Sequence, residues 1–505
     1  MGAGMMRPMP RSTIPLLSKS RFTAGLQCHG RLYRQCYERD LASPTGAAQQ
    51  ARFAAGTRAG VIAQELRPGG VLVDEPAFRH DQAVARTREL LATADVPAIY
   101  EAAFTEDDVR IRVDILARGA EESWDLIEMK SSTSQKAEHI PDVAVQLVTL
   151  ERAGIAVDRA GVGHINRDYV YPGGSYRADE LFAIADVTDE AREYAKRVPE
   201  ELAAMRAALA GDAAPEIDIG RHCKNPYECD FITYCRRDEP EWSIDEIPRL
   251  SADRAQAFRA SGVRSILDIP ASERLTPTQE VIRRAVKTGE PRIGADLLPA
   301  LDGIVAPAHF IDFETMAPAL PTYAGTRPYE TLPFQWSDHV LSADGTLAHA
   351  EFLADGEEDP RKEFAETLIA QLAGAATVVV YSSFEQARLR QLADALPDLR
   401  PALEAILSLS WVDLYEVVRS DYYHRDFHGS FSIKSVLPAL VPEFGYGDLE
   451  IQEGELASLA FLEIVDPDTS LERREQLRAD LLAYCRRDTE AMVRIVEALR
   501  VALEK

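Results

Sequence analysis

Phe310-Ile311-Asp312-Phe313-Glu314 reads as a buried strand. A period of two sets Ile311 and Phe313 on one face and Asp312 and Glu314 on the other, so a first strand of this kind presents two carboxylates side by side. Further along, Thr377 to Tyr381 is another strand pattern, running into Ser382-Ser383-Phe384-Glu385 with Glu385 at a helix start. Tyr484-Cys485-Arg486-Arg487-Asp488 falls in a long helix from about Leu471 to Val501, where the i, i+4 spacing stacks the Tyr484 phenol one turn from Asp488. Three acidic segments and a tyrosine suit two-metal hydrolysis of a phosphodiester, with ions on the attacking and leaving oxygens and Tyr484 orienting the water. The same residues also fit a blander arrangement, in which Asp312 ends a strand and Tyr484 and Asp488 form a helix-surface pair. Asp413, in Trp411-Val412-Asp413-Leu414, is a substitute ligand or a helix cap, and Lys434 a phosphate contact or a surface lysine.

Strand patterns near Phe334 to Leu341 and Leu347 to Leu353 make this last third α/β. Upstream, short amphipathic patterns between Ile244 and Ile293 read as a small helical piece, and the turn-prone Asp238-Glu239-Pro240 marks a seam before it. The expected domains are 12–240, 241–298 and 299–505. The first holds a second acidic constellation. On Arg110-Ile111-Arg112-Val113-Asp114-Ile115-Leu116, alternation turns Asp114 away from the face of Ile111, Val113 and Ile115. The next strand, Trp124 to Ser131, puts Glu128 and Lys130 on one face. If the two strands form a hairpin, these charges converge. Two carboxylates at one place repel unless a cation lies between them, which makes a divalent ion the natural third party. Glu101 on a neighbouring strand and Gln146 on the following helix, from about Asp142 to Ala153, complete the set. A solvated hairpin with an ordinary Glu/Lys pair carries the same spacing.

The chain has 505 residues, 46% of them hydrophobic, and a formal charge of −26. A histone-like or basic-arm binder of polyanions is thereby excluded; contact with such a partner must run through local arginine clusters or metal ions. No apolar run approaches the roughly 20 residues that span a bilayer, and Ile14 to Leu17 is too short for a signal-peptide core, so a cytoplasmic protein without a membrane partner is expected. Met1 to Pro10 reads as disordered. Cys223-x5-Cys229-x5-Cys235 clusters three soft ligands, with Cys28 far upstream. A closed four-thiolate site fits an iron-sulfur cluster or structural zinc, and spacing alone does not separate them. Cys36 is a less favoured fourth ligand, and Cys485 reads as a core thiol.

Asp114 with Glu128-x-Lys130 and Gln146 resembles the PD-(D/E)XK nuclease core, in particular that of RecB-like exonucleases. The resemblance implies that Asp114, Glu128 and Glu101 hold Mg²⁺ or Mn²⁺ and that Lys130 completes the site; Gln64 stands where that family has a histidine. Cys28 with Cys223, Cys229 and Cys235 resembles the iron-sulfur staple of CRISPR-associated RecB-like exonucleases and AddB, which implies a 4Fe-4S cluster clamping the ends of the domain together. Asp312, Glu314, Glu385, Tyr484 and Asp488 resemble the motifs of DnaQ-like exonucleases of the RNase H-like class, tyrosine subtype, with Glu385 where that superfamily usually has aspartate. Phe310 to Thr315, Gly429 to Leu440 and Tyr484 to Met492 together resemble the bacterial domain of unknown function 2779 family. Leu250 to Ala260 followed by Gly262-Val263-Arg264-Ser265-Ile266 looks like a degenerate helix-hairpin-helix, whose backbone amides around the glycine would hold a DNA phosphate.

The fold expected is therefore multidomain α/β: a restriction-endonuclease-like domain, a small helical linker domain and an RNase H-like exonuclease domain. The function expected is metal-dependent hydrolysis of phosphodiesters, as an exonuclease on single-stranded DNA. Two alternatives share the residues: a non-catalytic iron-sulfur adaptor for nucleic acid with decayed nuclease folds, and an RNA-processing exonuclease.

Overall fold

The computed structural model describes residues 14–504, and the opening from Met1 to Pro10 lies outside them. The chain divides into two compact units, both α/β. The first takes in residues up to Asp238 together with Ala319–Tyr329, and the second takes in Glu239–Pro318 and Glu330 onward. Among the described residues no helix is long and apolar enough to cross a membrane.

The sheet of the first unit is built from β1 (Leu17–Ser18), β2 (Val71–Leu72), β3 (Ala98–Glu106), β4 (Val109–Arg118), β5 (Trp124–Lys130), β6 (Val157–Ile165) and β7 (Phe182–Asp186). Its order is β2-β3-β4-β5-β6-β7, with β1 beside β4. Asp107 and Asp108 join β3 to β4 at φ 48° and 61°, the left-handed pair that a two-residue hairpin turn demands. β4 and β5 pair antiparallel from Ile115 opposite Ile127 to Arg118 opposite Trp124, the hairpin on which the convergence of charges depended. From β5 the chain passes through the helix His139–Arg152 into β6, which runs parallel to β5; parallel neighbours need such a crossover. Val143, Ala144, Leu147 and Leu150 of that helix share one core with Val113, Leu116, Leu126 and Val162. The helix Lys19–Gln27, capped by Ser18, buries Phe22 in the same core. Gly25 allows its close approach to the helix Val198–Ala210, since a Cβ there would fall 2.6 Å from the Met205 sulfur. A second apolar cluster joins Tyr100, Ile115, Ile127 and Phe182 with Leu320, from the distant segment Ala319–Tyr329. Tyr329 of that segment donates its hydroxyl to the carbonyl of Ser131.

The second unit carries β8 (Arg292–Ile293), β9 (Ala308–Met316), β10 (Leu332–Leu341), β11 (Leu347–Leu353), β12 (Thr377–Val380), β13 (Ser410–Asp413) and β14 (Tyr422–Tyr423). The main sheet runs β11-β10-β9-β12-β13, and β14 pairs with β8 apart from it. β10 lies antiparallel to both β9 and β11, whereas β12 is parallel to β9 and β13 to β12. On one face Ile311 and Phe313 of β9 pack with Trp336, Phe364, Leu368, Val378 and Leu389. The opposite face meets the helices Gly454–Val465 and Leu471–Leu503: Phe334 of β10 stacks on Phe461 at 4.0 Å between ring centroids. Thr489 bonds Ser337 and His339, and Gln335 donates to the Leu481 carbonyl, which fixes the long helix above β9 and β10.

The stretch Ile244 to Ile293 is helical as expected and belongs to the second unit. Its helix-hairpin-helix reading needs correction. Gly262, at φ 82°, closes the helix Ala252–Ala260, with its amide bonded to the Arg259 carbonyl and that of Val263 to the Phe258 carbonyl. This is a glycine C-cap, so the amides meant for a phosphate are consumed inside the turn. Only the 3₁₀ turn Ile266–Asp268 follows directly; the next α-helix begins at Pro277.

Candidate metal sites

In the first unit Glu101, Asp114, Glu128, Lys130 and Gln146 come together, and two further residues join them. Glu128 is 2% exposed. Lys19 donates to both of its oxygens at 2.8 Å, Lys130 to Oε1 at 2.8 Å and Gln146 to Oε2 at 2.8 Å. Lys130 also reaches Asp142 Oδ2 at 2.5 Å. Burial alone would raise Glu128, but Lys19 and Lys130 hold its carboxyl well below the usual carboxylate range. Asp114 accepts from the Met129 amide at 2.7 Å, yet burial and the Glu128 charge push it up to about 7. Glu101 lies between the pairs Tyr100–Ile115 and Ala102–Val113, so it stands across from Asp114. Burial raises its carboxyl as well. Its φ of 55° puts a glutamate in the left-handed region in mid-strand, strain that costs about 1–3 kcal/mol and collects at functional sites. Asp142 Oδ1 and Gln146 Oε1 are buried without a hydrogen-bond partner. Gln64 contributes its backbone carbonyl to the Tyr100 hydroxyl at 2.7 Å.

Cys28 ends the helix Lys19–Gln27 and caps the next helix, His29–Tyr37. Gln27 beside it donates to the carbonyls of His222 and Tyr227, both at 2.7 Å, and Arg31 pairs with Asp230. These bonds bring Cys28 to the Cys223–Cys235 segment, where the Cys229 amide bonds the Cys223 carbonyl at 2.8 Å. Burial raises the thiols of Cys223 and Cys229, and so does the nearness of other cysteines of the set: Cys28 and Cys235 for the former, Cys223 and Cys28 for the latter. Four thiols brought to one place in this way are a donor set suited to a shared cation. Cys36 packs instead against the apolar core.

In the second unit Asp312 and Glu314 on β9 meet Glu385, at the start of the helix Phe384–Ala395, and Asp488 of the long helix. Glu385 is 3% exposed and shares a side-chain hydrogen bond with Asp312, so its extra methylene does not keep it out of the cluster. Its Oε2 is buried and has no partner. Burial, together with the other acids, holds Asp312 and Glu314 well above the normal range. Glu385 is pushed up to about 8 and Asp488 to about 6, chiefly by burial. Tyr484 hydrogen-bonds Asp488 as the spacing predicts, and Tyr446 donates to Asp488 Oδ1 at 2.5 Å. Lys434 is exposed, but its ammonium stands 5.6 Å from the Tyr484 ring and 5.7 Å from that of Tyr446, and its charge draws Glu314 down. Cys485 is buried like a core thiol, yet its sulfur lies 3.8 Å from Asp312 Oδ2. One oxygen each from Asp312 and Glu314 and the Cys485 sulfur fall within 4.8 Å of one another, close enough to share one metal ion. Asp413 caps the helix Leu414–Asp421, accepting from Tyr415 and Glu416.

Sequence reasoning missed Lys19, Asp142 and Tyr446. Asp142 carried a signal, since it sits four residues before Gln146 on one helix face. Lys19 and Tyr446 carried none, because their partners lie 109 and 42 residues away.

Residues 309–432 match the model of a family described as a domain of unknown function, DUF2779. No curated protein matches the chain.

Proposed function

We propose that the chain is a metal-dependent nuclease that hydrolyses phosphodiester bonds, acting as an exonuclease on single-stranded DNA. The observation that carries this reading is the cluster of Asp312, Glu314, Glu385 and Asp488, four acids gathered from three elements with one buried oxygen unpaired. Carboxylates so placed cannot all ionise unless cations lie among them. The strand order β11-β10-β9-β12-β13, with β10 alone antiparallel to β9, supports an RNase H-like reading of the second unit. The run β3-β4-β5, crossover helix, β6 supports a PD-(D/E)XK reading of the first.

Mg²⁺ or Mn²⁺ held by these acids would neutralise charge on the phosphate and lower the pKa of a bound water. The chain's own residues do the rest. Tyr484 and Tyr446 fix the Asp488 carboxylate by hydrogen bonds, and Tyr484 is placed to orient a water beside it. Lys434, exposed at the margin of the site, offers an ammonium to a phosphate oxygen. In the first unit Lys130 takes the corresponding role, with Asp142 and Glu128 aiming its ammonium. Cys28, Cys223, Cys229 and Cys235 would hold an iron-sulfur cluster, with structural zinc as the alternative that the same four thiols suit.

The test uses protein purified without oxygen and end-labelled single-stranded DNA or RNA in Mg²⁺ or Mn²⁺. Lys130→Ala and Asp488→Ala are each expected to remove a separable activity by about 10²-fold or more. No cutting by the wild type, with iron bound and either metal present, would turn the reading to a non-catalytic adaptor.

A further inference from the structure

We propose that Lys19 sets the divalent-ion affinity of the first acid site by occupying, as an ammonium, the place on Glu128 that an ion would take. The inference rests on the metal reading of that site given above. A carboxylate offers about four lone-pair positions, and on Glu128 all are spoken for. Lys19 takes one on each oxygen, Lys130 a second on Oε1 and Gln146 a second on Oε2. An ion can reach Glu128 only if one of these donors leaves.

Lys19 is the donor free to go. Lys130 is tied to Asp142 as well as to Glu128, and Gln146 is fully buried and also bonds the Asp142 carbonyl. The Lys19 ammonium donates to Glu128 alone among the described residues, and its side chain keeps 22% of its surface exposed, close to the 26% of Lys130, so it is the lack of a second partner that sets Lys19 apart. Its three unbranched methylenes beyond Cβ allow the head to swing out while Ser18 and Phe22 keep the backbone in place. The departure is driven by charge, because a divalent ion bound to Glu128 would stand within a few ångströms of the ammonium and repel it. Lys19 therefore makes a bound ion compete with a tethered cation that is always present. The site then fills only above a threshold of metal, and below it buried Glu128 keeps two ammonium partners, Lys19 and Lys130.

The experiment is a Mn²⁺ titration of the full chain, followed by electron paramagnetic resonance, in an Asp312→Asn background that weakens the second site. Added to that background are Lys19→Met, Lys19→Arg and Asp114→Asn. If Lys19 holds Glu128 nine-tenths of the time or more, Lys19→Met tightens the Asp114-dependent site by about tenfold or more. Lys19→Arg, which keeps a bidentate cation, leaves it weak. Unchanged or weaker binding in Lys19→Met overturns the inference while the metal reading stands. Absence of any Asp114-dependent Mn²⁺ site, in the Met variant as in the rest, removes both.

Discussion

Glu385 shows what one buried carboxyl does to the stability of its unit. Burial holds it at about 8 in the folded chain, against about 4.3 for an unfolded glutamate. The folded state thus keeps a proton that the unfolded state has lost, and stability falls as pH rises between those two values. Asp488, at about 6, acts in the same direction. In EDTA the melting temperature of the second unit should drop by several degrees from pH 5 to pH 8.5. Glu385→Gln cannot ionise and should flatten that drop, while saturating Mn²⁺ should reverse its sign in the wild type by favouring the ionised acids. A Glu385→Gln profile as steep as the wild type's would show that Glu385 does not carry the cost. At this scale the sequence told which acids lie on which face of β5 and β9, because alternation is local; it failed at Asp114, where the facing of β4 shifts and Ile115 leaves the core of Ile111 and Val113. It could not tell that Lys19 reaches Glu128 or that Tyr446 reaches Asp488, because those meetings depend on how distant segments are folded back.

Among elements, the helix Gly454–Val465 has the clearest energetic role. Phe461 is fully buried, parallel to Phe334 within 5°, and it backs the face of β9 that bears Asp312 and Glu314. Phe461→Ala should cost about 3–5 kcal/mol by loss of transfer energy and creation of a cavity, read as a lower denaturant midpoint for the second unit; a loss under about 1 kcal/mol would mean that the sheet and long helix close over the gap. Most elements were legible. β5, β9 and the helix Leu471–Leu503 each carry an unbroken period of two or of 3.6, and the structure has them within a few residues of the expected bounds; β4 does not keep the expected face, since Ile111, Val113 and Leu116 pack in one core and Ile115 and Ala117 in the other, a shift at Asp114 opposite the left-handed Glu101. Gly262 was misread because a glycine after a helix has two uses, as a phosphate-holding turn or as a helix cap. The choice rests on which carbonyls its neighbouring amides meet, and the sequence does not contain that. Asp413 went the other way: short polar residues before a helix are caps far more often than ligands, and it caps.

For the molecule as a whole, the seam at Asp238 was legible in composition and the return of the chain at Ala319–Tyr329 was not, since those eleven residues look like an ordinary loop between two strands. Their place in the first unit has a measurable weight. A fragment ending at Asp238 lacks Leu320, 8% exposed in the full chain and part of an apolar cluster. Appending 319–329 to that fragment through a flexible linker should stabilise it by about 1–3 kcal/mol, the value of burying one large apolar side chain. Equal denaturant midpoints for the two fragments would deny the segment any such role. The arrangement also bears on the order in which the protein is made. A ribosome delivers residues in sequence, so the first unit is still incomplete when Asp238 emerges and must wait for Tyr329, about ninety residues later, roughly 5–20 s at about 5–20 residues per second. During that interval Ser131, next to Lys130, lacks the hydroxyl that holds its carbonyl. The first acid site therefore reaches its final form only once Tyr329 has been synthesised, and a nascent chain stalled before then carries it unfinished.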